Sequence, residues 1–140
     1  LLYKLDKAIR EQKYSENEIQ GPDQFFACSY FKDRNLDGLL NFQTEVSDIK
    51  DVYTTGEKVS FIARVYGKTG STMDFLLLDP YRRPVKQTRL TIDRNGFTPT
   101  FTFQCSHGNP KKEWHIGQGS YHAIWYVDNN PVAETSIAIR

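Results

Sequence analysis

Asp33-Arg34-Asn35-Leu36-Asp37-Gly38-Leu39-Leu40, followed by Glu45, is the most chemically specific stretch of this sequence. Oxygen donors at alternate positions, a glycine at the sixth place for a sharp turn and an apolar residue at the eighth are what a calcium loop requires. Asp33, Asn35, Asp37 and the Leu39 carbonyl are the expected ligands, with Glu45 as a further donor. The bidentate acid of such loops falls on the twelfth position, here Thr44, and Glu45 stands one residue later. Asp and Asn also close turns on their own backbone, so the same segment reads as a metal-free turn. Both readings stand, and calcium is the one cofactor these residues suggest.

Cys28 and Cys105 lie on two separate β-like stretches, with Cys105 on the inward parity after Phe101 and Phe103. They are either a disulfide or two buried thiols, since a bridge depends on a separation that spacing along the chain does not measure. His107, His115 and His122 have no metal-ligand spacing, and no G-x-S-x-G elbow occurs. Gly67-Lys68-Thr69-Gly70 has the letters of a phosphate loop, but Ile62 stands where its first glycine belongs. No catalytic residue is assigned, and the chain is expected to be non-enzymatic.

A different kind of site is suggested by surface residues. Arg82, Arg83, Lys86, Arg89 and Arg94 gather around one turn and strand, with Tyr81 beside them. Such a row of charge guards a sheet edge against strand-to-strand aggregation, or faces an acidic partner, a glycan or a phosphate. Trp125 has the parity of a core residue, whereas Trp114, within Lys111-Lys112-Glu113-Trp114-His115, is the expected surface aromatic. Tyr81, Arg82, Arg83 and Trp114 therefore form the candidate surface for a partner or a carbohydrate.

Bulk properties limit the partners. Among 140 residues, 18 are Lys or Arg and 17 are Asp or Glu, for a net charge of +1. So even a balance offers no broad field to a phosphate backbone, and a nucleic-acid partner is not expected. No apolar run reaches the ~18 residues of a membrane-spanning helix. An aromatic fraction of 14% fits pleated, half-buried surfaces.

Residues 1–24 differ from the rest. Leu1, Leu5, Ala8 and Ile9 recur near helical spacing among charged neighbours, which predicts a short amphipathic helix and linker ended by Gly21-Pro22-Asp23. A helix this short needs something to pack on: its own domain, a second copy or a partner. Residues 25–140 switch to a period of two. Val59, Phe61, Ala63 and Val65 share one parity; so do Phe97, Phe101, Phe103 and Cys105, and so do Tyr121, Ala123, Trp125 and Val127. With strands expected also at 40–46, 49–53, 73–78, 85–92 and 132–139, the pattern predicts a mainly β, antiparallel sandwich or barrel.

Gly119-Ser120-Tyr121-His122-Ala123-Ile124-Trp125-Tyr126-Val127-Asp128 resembles the penultimate strand of immunoglobulin-like and fibronectin-type-III-like bacterial β-sandwich domains, with Tyr121 at the place of their corner tyrosine. Ala123 stands where true immunoglobulin domains carry their second cysteine. The resemblance implies an immunoglobulin-like sandwich serving as a structural or protein-interaction module, and a secreted or extracytoplasmic setting. Sheet edges and the N-terminal helix are the contact surfaces it suggests, for a partner protein or for self-assembly. A carbohydrate-binding module and the accessory domain of a larger enzyme are its alternatives.

Overall fold

The computed structural model describes residues 23–31 and 46–140. The helix expected within residues 1–24 and the calcium-type stretch of Asp33, Asn35, Asp37, Leu39 and Glu45 lie outside them, apart from Asp23 and Gln24. The β region begins at Gln24, one residue earlier than expected.

Ten strands follow one another without a helix among the described residues: β1 Gln24–Phe31, β2 Val46–Ile49, β3 Val52–Tyr53, β4 Lys58–Arg64, β5 Thr72–Leu78, β6 Pro84–Thr91, β7 Thr100–Cys105, β8 His115–Ile116, β9 Gly119–Val127 and β10 Asn130–Ile139. They form two five-stranded sheets, β2-β1-β4-β7-β8 and β3-β10-β9-β5-β6. The expected run at 49–53 is interrupted at Lys50 and Asp51, where the chain passes from the first sheet to the second. The sheets are not purely antiparallel: β3 runs parallel to β10 and β8 parallel to β7. Both parallel pairs are two residues long. Residues 106–114 bring the chain back beside β7 before β8 begins, so β8 must run in the same direction.

Alternation explains how the sheets meet. Val59, Phe61 and Ala63 of β4 and Phe101, Phe103 and Cys105 of β7 turn toward Met73, Phe75 and Leu77 of β5 and Tyr121, Ala123 and Trp125 of β9. Phe75 and Phe101 stack across the interface with centroids 4.5 Å apart and planes at 11°. Trp125, with no exposed surface, lies 4.7 Å from Phe75. Burial of each large side chain contributes roughly 1.5–3 kcal/mol, and each aromatic pair adds about 0.5–1.5 kcal/mol. Strand β4 is buried on its other face as well, where Ser60, Ile62 and Arg64 stand.

The hairpin between β9 and β10 turns on Asp128 and Asn129, whose φ angles of 49° and 67° suit a two-residue turn matched to strand twist. Asp128 steadies it by accepting from the Thr72 amide at 3.0 Å.

Candidate functional site

One side of the two-layer structure is formed by β6, the edge of one sheet, and by β7 with its short neighbour β8 at the edge of the other. The connection from β7 to β8 is drawn onto this side by its backbone. Gln104 N–H donates to the Trp114 carbonyl at 2.8 Å, Ser106 N–H to the Ile116 carbonyl at 2.8 Å, and His115 N–H to the Lys112 carbonyl at 3.2 Å. These bonds place Trp114 at a φ of 63°, a left-handed conformation that costs an L-residue about 1–2 kcal/mol. Its indole is directed over the mouth of the core, 5.2 Å from Phe103 and 6.4 Å from Phe101 between centroids. From the opposite sheet the Lys86 ammonium reaches over the same ring, 4.1 Å from its centre.

Trp114 remains 39% exposed and lines a cleft of about 280 Å³ with Val85, Lys86, Phe103, Pro110 and Lys112. Glu113 and His115 complete its wall. The arrangement combines an aromatic floor, apolar flanks and a net excess of cationic side chains.

Tyr81, Arg82 and Arg83 occupy the turn between β5 and β6, and their hydrogen bonds converge on Asp79. The Asp79 carboxylate accepts from the Tyr81 amide at 2.8 Å, the Arg83 amide at 2.8 Å and Arg83 Nε at 2.9 Å. Desolvation works to raise the Asp79 carboxyl, and these hydrogen bonds outweigh it and hold the group below the usual carboxylate range. Arg83 lies over the Tyr81 ring at 5.1 Å, and Tyr81 is 79% exposed. Of the basic cluster, Lys86 is the member that reaches Trp114. Arg89 is held by both oxygens of Asp74, at 2.8 and 3.0 Å, and by Asn129 at 2.7 Å.

The cysteines do not form a bridge. Both are buried thiols outside any disulfide. Cys28 is opposite Ser60, and Ser60 opposite Thr102, so Cys28 shares the outer face of its sheet with these residues, while Cys105 belongs to the core. Strand β4 lies between them, and two strand spacings already exceed the roughly 7 Å that a disulfide spans between Cα atoms. Burial pushes the Cys105 thiol up to about 11, the charge of Glu57 adding to it and Lys50 opposing it.

Two serine–histidine hydrogen bonds, which the strand pattern gave no sign of, are present. Ser106 Oγ lies 2.9 Å from His115 Nδ1, beside the Trp114 cleft. Ser136 Oγ lies 2.9 Å from His122 Nδ1, and Glu134 Oε1 is 3.2 Å from that same nitrogen. A histidine base uses one nitrogen for its nucleophile and the other for the acid that orients it. At His122 both partners crowd Nδ1, and at His115 no carboxylate is bonded to the ring among the described residues. Among the described residues no cluster of His, Cys, Asp or Glu is arranged to hold a metal, and no helix is long and apolar enough to cross a membrane.

No family model matches the chain, and no curated protein does. A similar chain among solved structures is the Pseudomonas fluorescens alkylpurine DNA glycosylase AlkC bound to DNA containing an abasic site analog, with 10% identity and a TM-score of 0.37. The likeness covers 83% of this chain and 30% of that one, so this chain spans less than a third of that enzyme's length. A likeness of this degree assigns neither a fold nor an activity.

Proposed function

We propose that the chain is a non-enzymatic, immunoglobulin-like interaction module that engages a partner through the side formed by β6, β7 and β8, with Trp114 as its anchor. The observation that carries this reading is the state of Trp114: 39% exposed, in a left-handed conformation, seated on Phe103 and beneath Lys86. Tryptophan is enriched among the residues that dominate binding energy, and a ring already supported on one side presents its area with little further loss of conformational entropy. The crowding of Ser136 and Glu134 onto one nitrogen of His122 favours a module without catalysis.

Strand order supports the immunoglobulin-like part. The order β10-β9-β5-β6 follows G-F-C-C′ of an immunoglobulin sandwich, and β1-β4-β7 follows A-B-E. Tyr121 adds to this, because its phenol meets the backbone of Gly117, four residues upstream, as a corner tyrosine does. Strand β8 departs from the pattern, since it follows β7 in the chain whereas strand D precedes strand E. An extracytoplasmic setting belongs to the same proposal.

Carbohydrate binding is the second reading, favoured by the exposed indole. Lys86 already covers one face of the ring, so a sugar would have to displace it. The deciding experiment exposes the full chain to a glycan array and to a random-peptide display library, in wild-type, Trp114→Ala and Tyr81→Ala forms. Peptide binders lost with Trp114→Ala and kept with Tyr81→Ala are expected. Glycan signals lost with Trp114→Ala would move the assignment to sugar, and binders indifferent to Trp114 would sink both readings.

A further inference from the structure

Building on the interaction-module reading, we propose that the outer edge of β7 at Thr100–Thr102 accepts an added β-strand from a partner: an extended segment bearing an acidic side chain and an apolar one. The direction of the β7 backbone is set by its bonds. Ala63 N–H donates to the Pro99 carbonyl at 3.2 Å and Cys105 N–H to the Glu57 carbonyl at 2.9 Å, so odd-numbered residues of this stretch turn their polar groups toward β4. Gln104 N–H donates the opposite way, to Trp114. The amides and carbonyls of Thr100 and Thr102 therefore point away from β4, as those of Gln104 do.

Strand β8 pairs only with Gln104 and Cys105. Among the described residues no strand lies beside Thr100 and Thr102, and Thr102 is exposed. In an immunoglobulin-like sheet strand D occupies this place, next to strand E. Among the described residues no strand separates β6 from β7, and the connection carries the isolated Val65–Phe97 bridge in place of a strand. An unpaired row of backbone groups is a template for strand addition, with main-chain hydrogen bonds supplying affinity and pockets for alternate side chains supplying selectivity.

The pocket stands next to the row. The cleft of Trp114, Phe103, Val85 and Pro110 takes an apolar side chain, and Lys86 and Lys112, set against the single carboxylate of Glu113, favour an acidic neighbour. A second copy of the chain fits poorly at the edge across the cleft: β6 opens with Pro84, which has no N–H to pair, and carries Lys86, whose charge a second copy would repeat.

The test selects binders to the full chain from a random-peptide display library and measures one synthesised winner by calorimetry and by amide hydrogen exchange. Enriched sequences should alternate, with an acidic and an apolar residue on one face, and binding should slow exchange at Thr100 and Thr102. Thr102→Pro removes an N–H that the β4 ladder does not use and should weaken binding at least about tenfold, as should Lys86→Glu. Failure to enrich any peptide would overturn the assignment, as would a winner that binds Thr102→Pro like wild type. Binders that need Trp114 but leave the Thr100 and Thr102 amides unprotected would overturn strand addition and leave the interaction-module reading intact. If Thr102→Pro does not fold, amide exchange on the wild type and the Lys86→Glu variant decide.

Discussion

The Lys86 ammonium sits 4.1 Å above the centre of the Trp114 ring and thereby joins the edge strand of one sheet to the β7–β8 connection of the other. At a partly exposed site such a contact contributes about 0.5–1 kcal/mol. It therefore stabilises the position of the ring more than the fold, and the lasting constraint on Trp114 is its backbone.

That constraint is testable by substitution. At a φ of 63°, alanine keeps the left-handed penalty and glycine does not. Both changes lose the ring, so their difference isolates the backbone: Trp114→Gly should be more stable than Trp114→Ala by about 1 kcal/mol, the reverse of the usual order. Urea unfolding with matched m values reads the difference. An alanine variant as stable as the glycine variant would show that residue 114 is not held left-handed in solution.

The two thiols give a second expectation. With β4 between them and their side chains on opposite faces, Cys28 and Cys105 should form no disulfide with each other even under oxidising conditions. Denatured protein that was never exposed to reductant should release both thiols to a chromogenic disulfide reagent, and the melting temperature should be the same with and without reductant. Native protein should react slowly, because burial disfavours the Cys105 thiolate. A lower melting temperature in reductant would contradict the strand order between the two residues.

The core was readable in advance because period two survives in Val59, Phe61 and Ala63, in Phe101, Phe103 and Cys105, and in Tyr121, Ala123, Trp125 and Val127, each set now inside one cluster. Trp114 was readable as a surface aromatic, since it lies among charges and outside any alternating run. Its partner was not, because Lys86 comes from another sheet and only strand order brings the two edges together. Strand β8 escaped notice for a related reason: two residues are too few to show a period. The cysteine pairing failed as a sequence question because face and strand order, not spacing, separate the thiols.

The corner at Tyr121 yields a third prediction. Its phenol meets the Gly117 backbone, and a Cβ at Gly117 would lie 2.0 Å from the Gly108 carbonyl oxygen, a backbone atom that cannot swing aside. Tyr121→Phe, which removes that phenol contact, should cost no more than about 0.5–1.5 kcal/mol, the range of a single hydrogen bond. Gly117→Ala should cost more, about 1–3 kcal/mol, as overpacking does, because β8 and the turn at Gly108 must part. Thermal or urea unfolding of the pair reads the order, and a phenylalanine variant more damaged than the alanine variant would show that the hydroxyl, not the close backbone approach, holds this corner.

Alkaline pH should weaken the fold through groups that the core keeps protonated. Burial raises the Cys105 thiol from 9.0 to about 11, and burial likewise raises the phenols of Tyr53, Tyr66 and Tyr121 above their ordinary value. A folded-state value above the unfolded one means that the unfolded chain releases its proton first as pH rises. The contribution of Cys105 is thus fully present below pH 9, is lost progressively as pH climbs, and is gone above about 11. A shift of this size corresponds to on the order of 2–3 kcal/mol. Urea unfolding across that interval should show stability falling with pH, and Cys105→Ala, less stable at neutral pH because of the cavity it leaves, should fall less steeply. A flat profile, or equal slopes for the variant and the wild type, would place the Cys105 thiol in contact with water and outside the core.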